Sequence, residues 1–277
     1  MKGRFEMSKR IATAVLAVLL LTALSAAATN DMFQVPPAGQ AAVGLRFMRP
    51  SFDIPVDLST FSGMFDLYAS VPMSPRWSLL LDLPYVRYAP DGYDSESAIG
   101  NMFLGVRFVD SLPNGSNAFT LGVAPPMADR DDAAVLLLSG VANYHEIYKY
   151  AVDYLTAYFA ASLDRVMATG AFLDLEIGSM FMIYTGSGSA DTEAYLRYAG
   201  SVGYRNELIE LRGGIMGLFL MTEDMDEFTD KLWNDLMFKG SLVGGLFRPS
   251  IFYRLPLKEE IKETLNGDLG VQVEFVF

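Results

Sequence analysis

The sequence predicts an all-β protein, a single antiparallel up-and-down transmembrane β-barrel of about twelve strands. Three observations predict it. Apolar and polar residues alternate with a period of two in segment after segment, as strands with two unlike faces require. The connections between those segments alternate between long and short along the chain. The acidic residues gather in the long connections. Such a barrel places short turns at its periplasmic rim and longer loops outside, whereas a soluble sandwich has no reason to sort loop length by parity.

The chain has 277 residues, 51% of them hydrophobic, with 13% aromatics, 15 Met and no Cys. Disulfides, thiolate nucleophiles and Cys-ligated zinc are therefore excluded. His145 is the sole histidine, which excludes multi-His metal centres. At the N-terminus, Lys9 and Arg10 precede the apolar run Ile11–Leu24 and the small residues Ser25-Ala26-Ala27-Ala28. That order of charge, apolar stretch and cleavage site reads as a secretory signal, removed near Ala28. The run is shorter than the ~20 residues a spanning helix needs. The expected organisation is a signal peptide over 1–28, a periplasmic segment over 29–40 and the barrel over 41–277, with the bacterial outer membrane as destination. The formal charge is −12, and the signal segment holds four basic residues against one acidic, so the mature chain carries −15. A surface this acidic argues against nucleic acid as a partner.

The alternation places strands near 41–49, 60–72, 77–88, 98–109, 117–125, 149–163, 170–184, 193–204, 207–221, 236–243, 246–257 and 268–277. Several reach the ~9–11 residues that a tilted strand needs to cross a bilayer. Residues 73–76 (MSPR), Arg205-Asn206 and Gly244-Gly245 read as tight hairpin turns. The six long connections hold 19 acidic residues against four basic ones, Arg130, Lys231, Lys258 and Lys262. The last strand alternates Leu269, Val271, Val273, Phe275 and Phe277 against Asp268, Gln272 and Glu274. Apolar residues running to the final position imply a strand that is tied down rather than frayed, as it is when the last strand pairs with the first. Phe275 and Phe277 form the expected assembly signal, read by the outer-membrane assembly machinery.

Alternation also assigns an inner face. Its acidic members are Asp66, Asp82, Asp174, Glu176, Glu210 and Glu274. Its basic members are Arg46, Arg107, Arg197, Arg212, Lys239, Arg248 and Arg254. Charges this evenly mixed predict salt bridges inside the lumen rather than a one-sign filter. Tyr68, Phe103, Tyr154, Tyr158, Phe172, Met180, Met182, Tyr195 and Phe252 share that face. They are read either as packing or as a path for an apolar or aromatic solute.

Two connections stand out. Residues 126–148 contain the apolar stretch Val135–Leu138, and Asp131 or Asp132 is placed to cap a helix beginning near Ala133. A segment so long and apolar predicts a plug or lid at the barrel mouth, with an added strand pair, giving fourteen strands, as the alternative. Residues 222–238 begin with helical spacing at Met225, Phe228 and Leu232. Asp224, Asp226 and Asp230 lack the glycine and terminal glutamate of a calcium loop, so no metal site is assigned. The acidic loops are expected to meet outer-membrane lipid and lipopolysaccharide, either through bridging divalent cations or simply as a solvated surface. No serine motif accompanies His145-Glu146, so no catalytic residue is assigned and the protein is not expected to be an enzyme.

Residues 76–88 (RWSLLLDLPYVRY), 98–108 (AIGNMFLGVRF), 119–127 (FTLGVAPPM) and 248–257 (RPSIFYRLPL) resemble, in order and spacing, the outer-membrane channels associated with meta-cleavage degradation of phenols. Leu83-Pro84 matches the family's Leu-Pro. Gly100-Asn101 stands where the family has Gly-Asp, and Pro125-Pro126-Met127 departs from its Pro-Thr-Gly. The resemblance spans about half the mature chain and implies passive uptake of small, often hydrophobic molecules. The expected function is therefore a cofactor-free channel for a small solute, hydrophobic or aromatic. The alternative is a structural or surface-interaction barrel with a closed, salt-bridged lumen. A helical plug slows hydrogen exchange at the Leu136–Leu138 amides, and exchange at coil rates there would remove it.

Overall fold

The computed structural model describes residues 39–53, 58–90, 92, 94–188, 190–222 and 231–277. The expected signal segment, most of the periplasmic segment and the start of the 222–238 connection lie outside the described residues. The fold is a closed antiparallel β-barrel of twelve strands with one short extra strand. Its strands are β1 (Ala42–Phe52), β2 (Gly63–Pro72), β3 (Trp77–Tyr88), β4 (Glu96–Ile99), β5 (Phe103–Leu112), β6 (Gly115–Ala124) and β7 (Tyr154–Val166). They continue as β8 (Ala171–Tyr184), β9 (Glu193–Arg205), β10 (Ile209–Leu220), β11 (Leu232–Leu242), β12 (Phe247–Pro256) and β13 (Leu265–Val276). Sequence neighbours pair around the wall from β5 to β13, β13 pairs with β1, and β1–β2–β3–β5 completes the ring.

The closure answers the apolar C-terminus. Ala42 lies opposite Val276 and Arg46 opposite Gln272. The Phe277 N–H donates to Ala41 O at 2.8 Å and the Ala41 N–H to Phe277 O at 3.2 Å, so no amide of the last strand is left facing lipid. Along β1, residues alternate between buried Arg46 and Met48 and exposed Val43 and Leu45. On the outer face, Trp77 pairs with Phe108 and Phe247 with Phe275, ring centroids 5.2 and 5.3 Å apart, at the short-turn end. Phe47, Phe65 and Tyr85 form a second row toward the long-loop end. Paired aromatic bands at two depths are the girdle that a membrane-spanning barrel presents to its interfaces. The tight turns fall as expected. Ser74 N–H donates to Trp77 O, Asn206 N–H to Ile209 O, and Gly245 takes φ +91°, open to glycine at no steric cost.

One strand is interrupted. The wall position read as a single strand over 98–109 is two pieces, β4 against the upper part of β3 and β5 against its lower part. Pro84 on β3 has no N–H to give the ladder at this level. At the break the Gly100 N–H donates to Pro84 O, and the Asn101 N–H leaves the sheet to donate to Lys149 O at 2.7 Å. The chain entering from β6 and leaving toward β7 passes this break from inside. Asn101 joins all its sides: Nδ2 donates to Tyr148 O and Ala151 O, while Oδ1 accepts from the N–H groups of Met127 and Ala128.

The connection so anchored is not a strand pair, which removes the fourteen-strand alternative. It folds as α1 (Ala133–Ala142), followed by 3-10 turns over Tyr144–Lys149 that kink at Glu146. The helix begins where the sequence placed it, but Asp132 makes no side-chain capping bond. Asp129 instead accepts from the Asp131 N–H. The strand expected from residue 149 begins at Tyr154, because residues 149–153 continue the inward excursion and Asp153 turns back at φ +64°. A four-residue helix, α2 (Glu259–Lys262), closes the connection from β12 to β13.

A Cβ on Gly100 would lie 2.2 Å from Lys149 O. Gly100→Ala therefore pushes the plug off the wall, and Asn101→Ala strands four backbone groups in a dry site. We expect Asn101→Ala to cost about 3–5 kcal/mol and Gly100→Ala about 1–3 kcal/mol in urea unfolding of the detergent-refolded barrel.

Candidate functional site: a pinned plug beneath an apolar vestibule

The helical excursion sits inside the barrel and is held by charge. Lys149, fully buried, reaches Asp82 of β3 at 2.6 Å and Asp66 of β2 at 3.2 Å. It also reaches Glu146, three residues earlier in the chain, at 3.1 Å. Arg46 of β1 bridges Glu146 at 2.7 Å and pairs with Asp66. Two strands further round the wall from β1, Arg254 of β12 donates to Asn143 Oδ1 and Ala142 O while holding Asp268 of β13 at 2.8 Å. Asp235 of β11 receives the Tyr144 hydroxyl and lies 2.9 Å from His145 Nε2. Buried ions persist only when paired and hydrogen-bonded, and these are.

The plug's own groups respond to this setting. Burial pushes the Glu146 carboxyl up, but Arg46, Lys149 and Arg197 outweigh it and hold the group below its ordinary range. Burial lowers Lys149, yet Asp66, Asp82 and Glu146 together raise it well above its ordinary value. For His145 burial wins over Asp235 and the pKa falls, so the neutral ring donates from Nε2.

The other inner-face charges lie nearer the short-turn end. Arg212 pairs with Asp174 and Glu210, both at 2.9 Å. Arg205, which alternation did not single out, bridges Glu210 and Asp164. Arg197 lies 3.4 Å from Glu176, and Phe172 carries the guanidinium groups of Arg205 and Arg212 over its ring. Lys239 donates to Gln272, which in turn donates to Tyr68, and Tyr68 donates to Glu274. Arg107 is buried between β3 and β6, while Arg248 is half-buried near the turn at Gly245. Phe252 packs in a second apolar cluster with Met48, Met64 and Leu136.

Six of the nine inner-face aromatics and methionines gather instead on the far side of the plug. Phe103, Met180, Met182 and Tyr195 form one cluster with Tyr144, Tyr148, Leu218 and Leu220, and Tyr154 and Tyr158 pack against it. Above this cluster, at the long-loop end, lies a cavity of about 730 Å³. Leu137 and Val141 of α1 form one side, and Tyr154, Met182, Tyr195 and Trp233 the other. Glu193, Lys258 and Glu260 are its charged members. Leu137 is 70% exposed within this lining, an unusual position for leucine unless something apolar covers it.

Sequence reasoning missed the plug's anchors: Asn101, Asn143, Tyr144, Tyr148, Lys149 and Asp235. The signal was present. Glu146 and Lys149 follow an apolar helix four and seven residues on, and a Gly-Asn pair interrupts a clean strand just after Leu83-Pro84 has interrupted its neighbour.

A closed barrel with aromatic girdles and an inward-folded plug defines the class: the fold is that of the outer-membrane β-barrel channels. No protein-family model matches the chain, and none of the curated proteins matches it. Among solved structures, the chain is similar to the COG4313 outer membrane channel from Pseudomonas putida F1, with 14% identity and a TM-score of 0.61 over 90% of this chain and 99% of that one. It is also similar to the NanC porin, with 10% identity and a TM-score of 0.52 over 84% of this chain and 98% of that one.

A pH dependence follows from the plug. Glu146, with its pKa lowered, adds stability above its ordinary value of 4.5 that is lost as pH falls through its folded value. Lys149, with its pKa raised, adds stability below its ordinary 10.5 that is lost as pH rises through its folded value. His145, buried neutral, loses stability as pH falls below its ordinary 6.5, because only the unfolded ring is free to charge. The plug's own contribution to stability is expected to be level between pH 6.5 and 10.5 and to decline on acidification, with His145→Gln removing its part of that decline between 6.5 and 4.5. Lys149→Met takes from Asp82 its cation and from Asp66 and Glu146 one of their two, and is expected to cost ~3–5 kcal/mol in the same unfolding measurement.

Proposed function

We propose that the protein is an outer-membrane channel for passive uptake of a small hydrophobic or aromatic solute, entering through the vestibule above the plug. The observation that carries this reading is the vestibule itself: about 730 Å³, open toward the long loops, lined by Leu, Val, Met, Tyr and Trp with few charged groups. Cavities of that size and lining take small apolar ligands, the polar groups fixing orientation. The resemblance to the phenol meta-cleavage channels points the same way for the solute. So does the COG4313 channel among the fold neighbours, for the mode of action. No catalysis is invoked. His145 is fully buried against Asp235 and serves as an anchor. Phe275 and Phe277 are the proposed contact with the assembly machinery, and lipid and lipopolysaccharide the proposed surroundings.

The second reading, a structural or surface-interaction barrel with a shut lumen, has its own observation. Arg46, Asp66, Glu146, Lys149 and Arg254 are almost wholly buried where they cross the barrel's interior. Permeation separates the two. Reconstituted protein is expected to conduct in planar bilayers, with conductance blocked by small aromatic solutes. Leu137→Glu and Trp233→Ala should weaken that block ~10-fold by making the vestibule polar or shallow. Absence of any conductance from folded protein would favour the structural barrel.

A further inference from the structure

The plug is held unevenly, and the unevenness locates a gate. Its bonds to Arg46, Asp66, Asp82, Asn101, Asp235 and Arg254 run to the β1–β5 and β11–β12 side, while from the other side Arg197 of β9 adds its charge near Glu146. Toward β7, β8 and β10 it meets Tyr158, Met180, Met182, Leu218 and Leu220. In that cluster, three rings stand together beneath the vestibule. Phe103 meets Tyr158 edge-on with centroids 5.7 Å apart, Phe103 lies 5.9 Å from Tyr148, and Tyr148 lies 6.2 Å from Tyr158. Met180 is directly across from Tyr158 in the β7–β8 register. Below them the lumen turns polar at once, with Arg197 donating to the Tyr158 hydroxyl at 3.3 Å.

We propose that Phe103, Tyr148, Tyr158 and Met180 are the gate. On this reading, solute passes between a stationary plug and the β7–β10 wall when Tyr158 and Met180 turn aside. The inference rests on the channel reading. Withdrawing the plug would break the Asn101, Arg46, Lys149 and Arg254 contacts together and strand their charges in a dry lumen. Turning Met180 and Tyr158 costs rotamer changes and local contacts of those two side chains, among them the ring contacts to Phe103 and Tyr148 and the 3.3 Å bond to Arg197. The wall is shaped for this. Phe103 lies where Cβ atoms on Gly105 and Gly122 would stand, 2.8 and 2.2 Å from its ring, so it is a seated jaw. The pair one step below Tyr158–Met180 is Ala160–Gly178, small residues that add little bulk of their own to that stretch of wall. The gate then selects by shape and polarity: a flat or slender apolar solute can replace the ring and thioether contacts, while a hydrated ion replaces none of them and passes only in the gate's brief openings, as a small conductance.

The test uses the full chain, refolded and reconstituted in planar bilayers in KCl. Met180→Ala and Phe103→Ala should raise conductance on the order of threefold or more, and Met180→Trp should reduce it, with Met180→Leu close to wild type. The native chain has no Cys, so Tyr88→Cys with Ser139→Cys, positions whose side chains meet on the pinned side at 3.5 Å, supplies the only thiols. Bridging these with a short bifunctional thiol reagent during refolding ties α1 to β3, and conductance should survive. Loss of conductance on bridging, together with indifference to the Met180 and Phe103 variants, would overturn the gate and leave the channel intact. If neither wild type nor Met180→Ala conducts while circular dichroism shows folded barrel, the channel reading fails and the gate with it.

Discussion

Lipid offers no hydrogen bonds, so every peptide group in the wall must find its partner within the protein. Everything else in this structure follows from how that requirement is met. Eleven strand-to-strand ladders and the pairing of β13 with β1 meet it around almost the whole circumference. At one place, between β4 and β5, the ladder is broken, with Pro84 on the neighbouring strand at the same level. There the missing partners come from inside the barrel, through Asn101 and the backbone of residues 148–151. The break in the wall and the plug in the lumen are one feature. The plug completes the wall, and the wall fixes the depth at which the plug sits.

That depth sets the electrostatics. Because the plug crosses the level of Arg46, Asp66 and Asp82, the inner face can carry charges that would be ruinous if left alone. The pinned side of the lumen is therefore ionic and the opposite side aromatic. A barrel that was uniformly polar inside would hold water throughout. This one separates a network that anchors from an apolar, aromatic cluster, and the vestibule opens over the second.

The architecture was largely legible because a barrel writes itself in a period of two. The strand over 77–88 lies in the structure as the alternation placed it, and the tight turns follow Gly, Asn and Pro chemistry. Alternation could also say that Asp66 and Arg254 share a face. It could not say which charges meet, because partners such as Arg46 and Glu146 are 100 residues apart and on different kinds of element. The errors cluster at the plug. Lys149 to Asp153 were read as the start of a strand, since Tyr150 and Val152 keep the same alternating rhythm while serving the 3-10 exit. Asn101 passed as an ordinary strand residue, because a side chain that replaces backbone partners leaves no periodic trace. The roles of Tyr144 and His145 depend on Asp235, which the sequence placed in an acidic loop and the structure places in β11.

Ala41 and Phe277 exchange hydrogen bonds at one rim, so the barrel's two ends already lie side by side. The ring of strands consequently has no privileged beginning. A circular permutant joining Phe277 to Ala41 through a short linker, and cut at the turn around Met167–Gly170, would keep every ladder of the wall. It would also move the aromatic terminus into the middle of the chain. Such a molecule would separate two things the native order fuses: the seam that shuts the cylinder, and the proposed address at its tail.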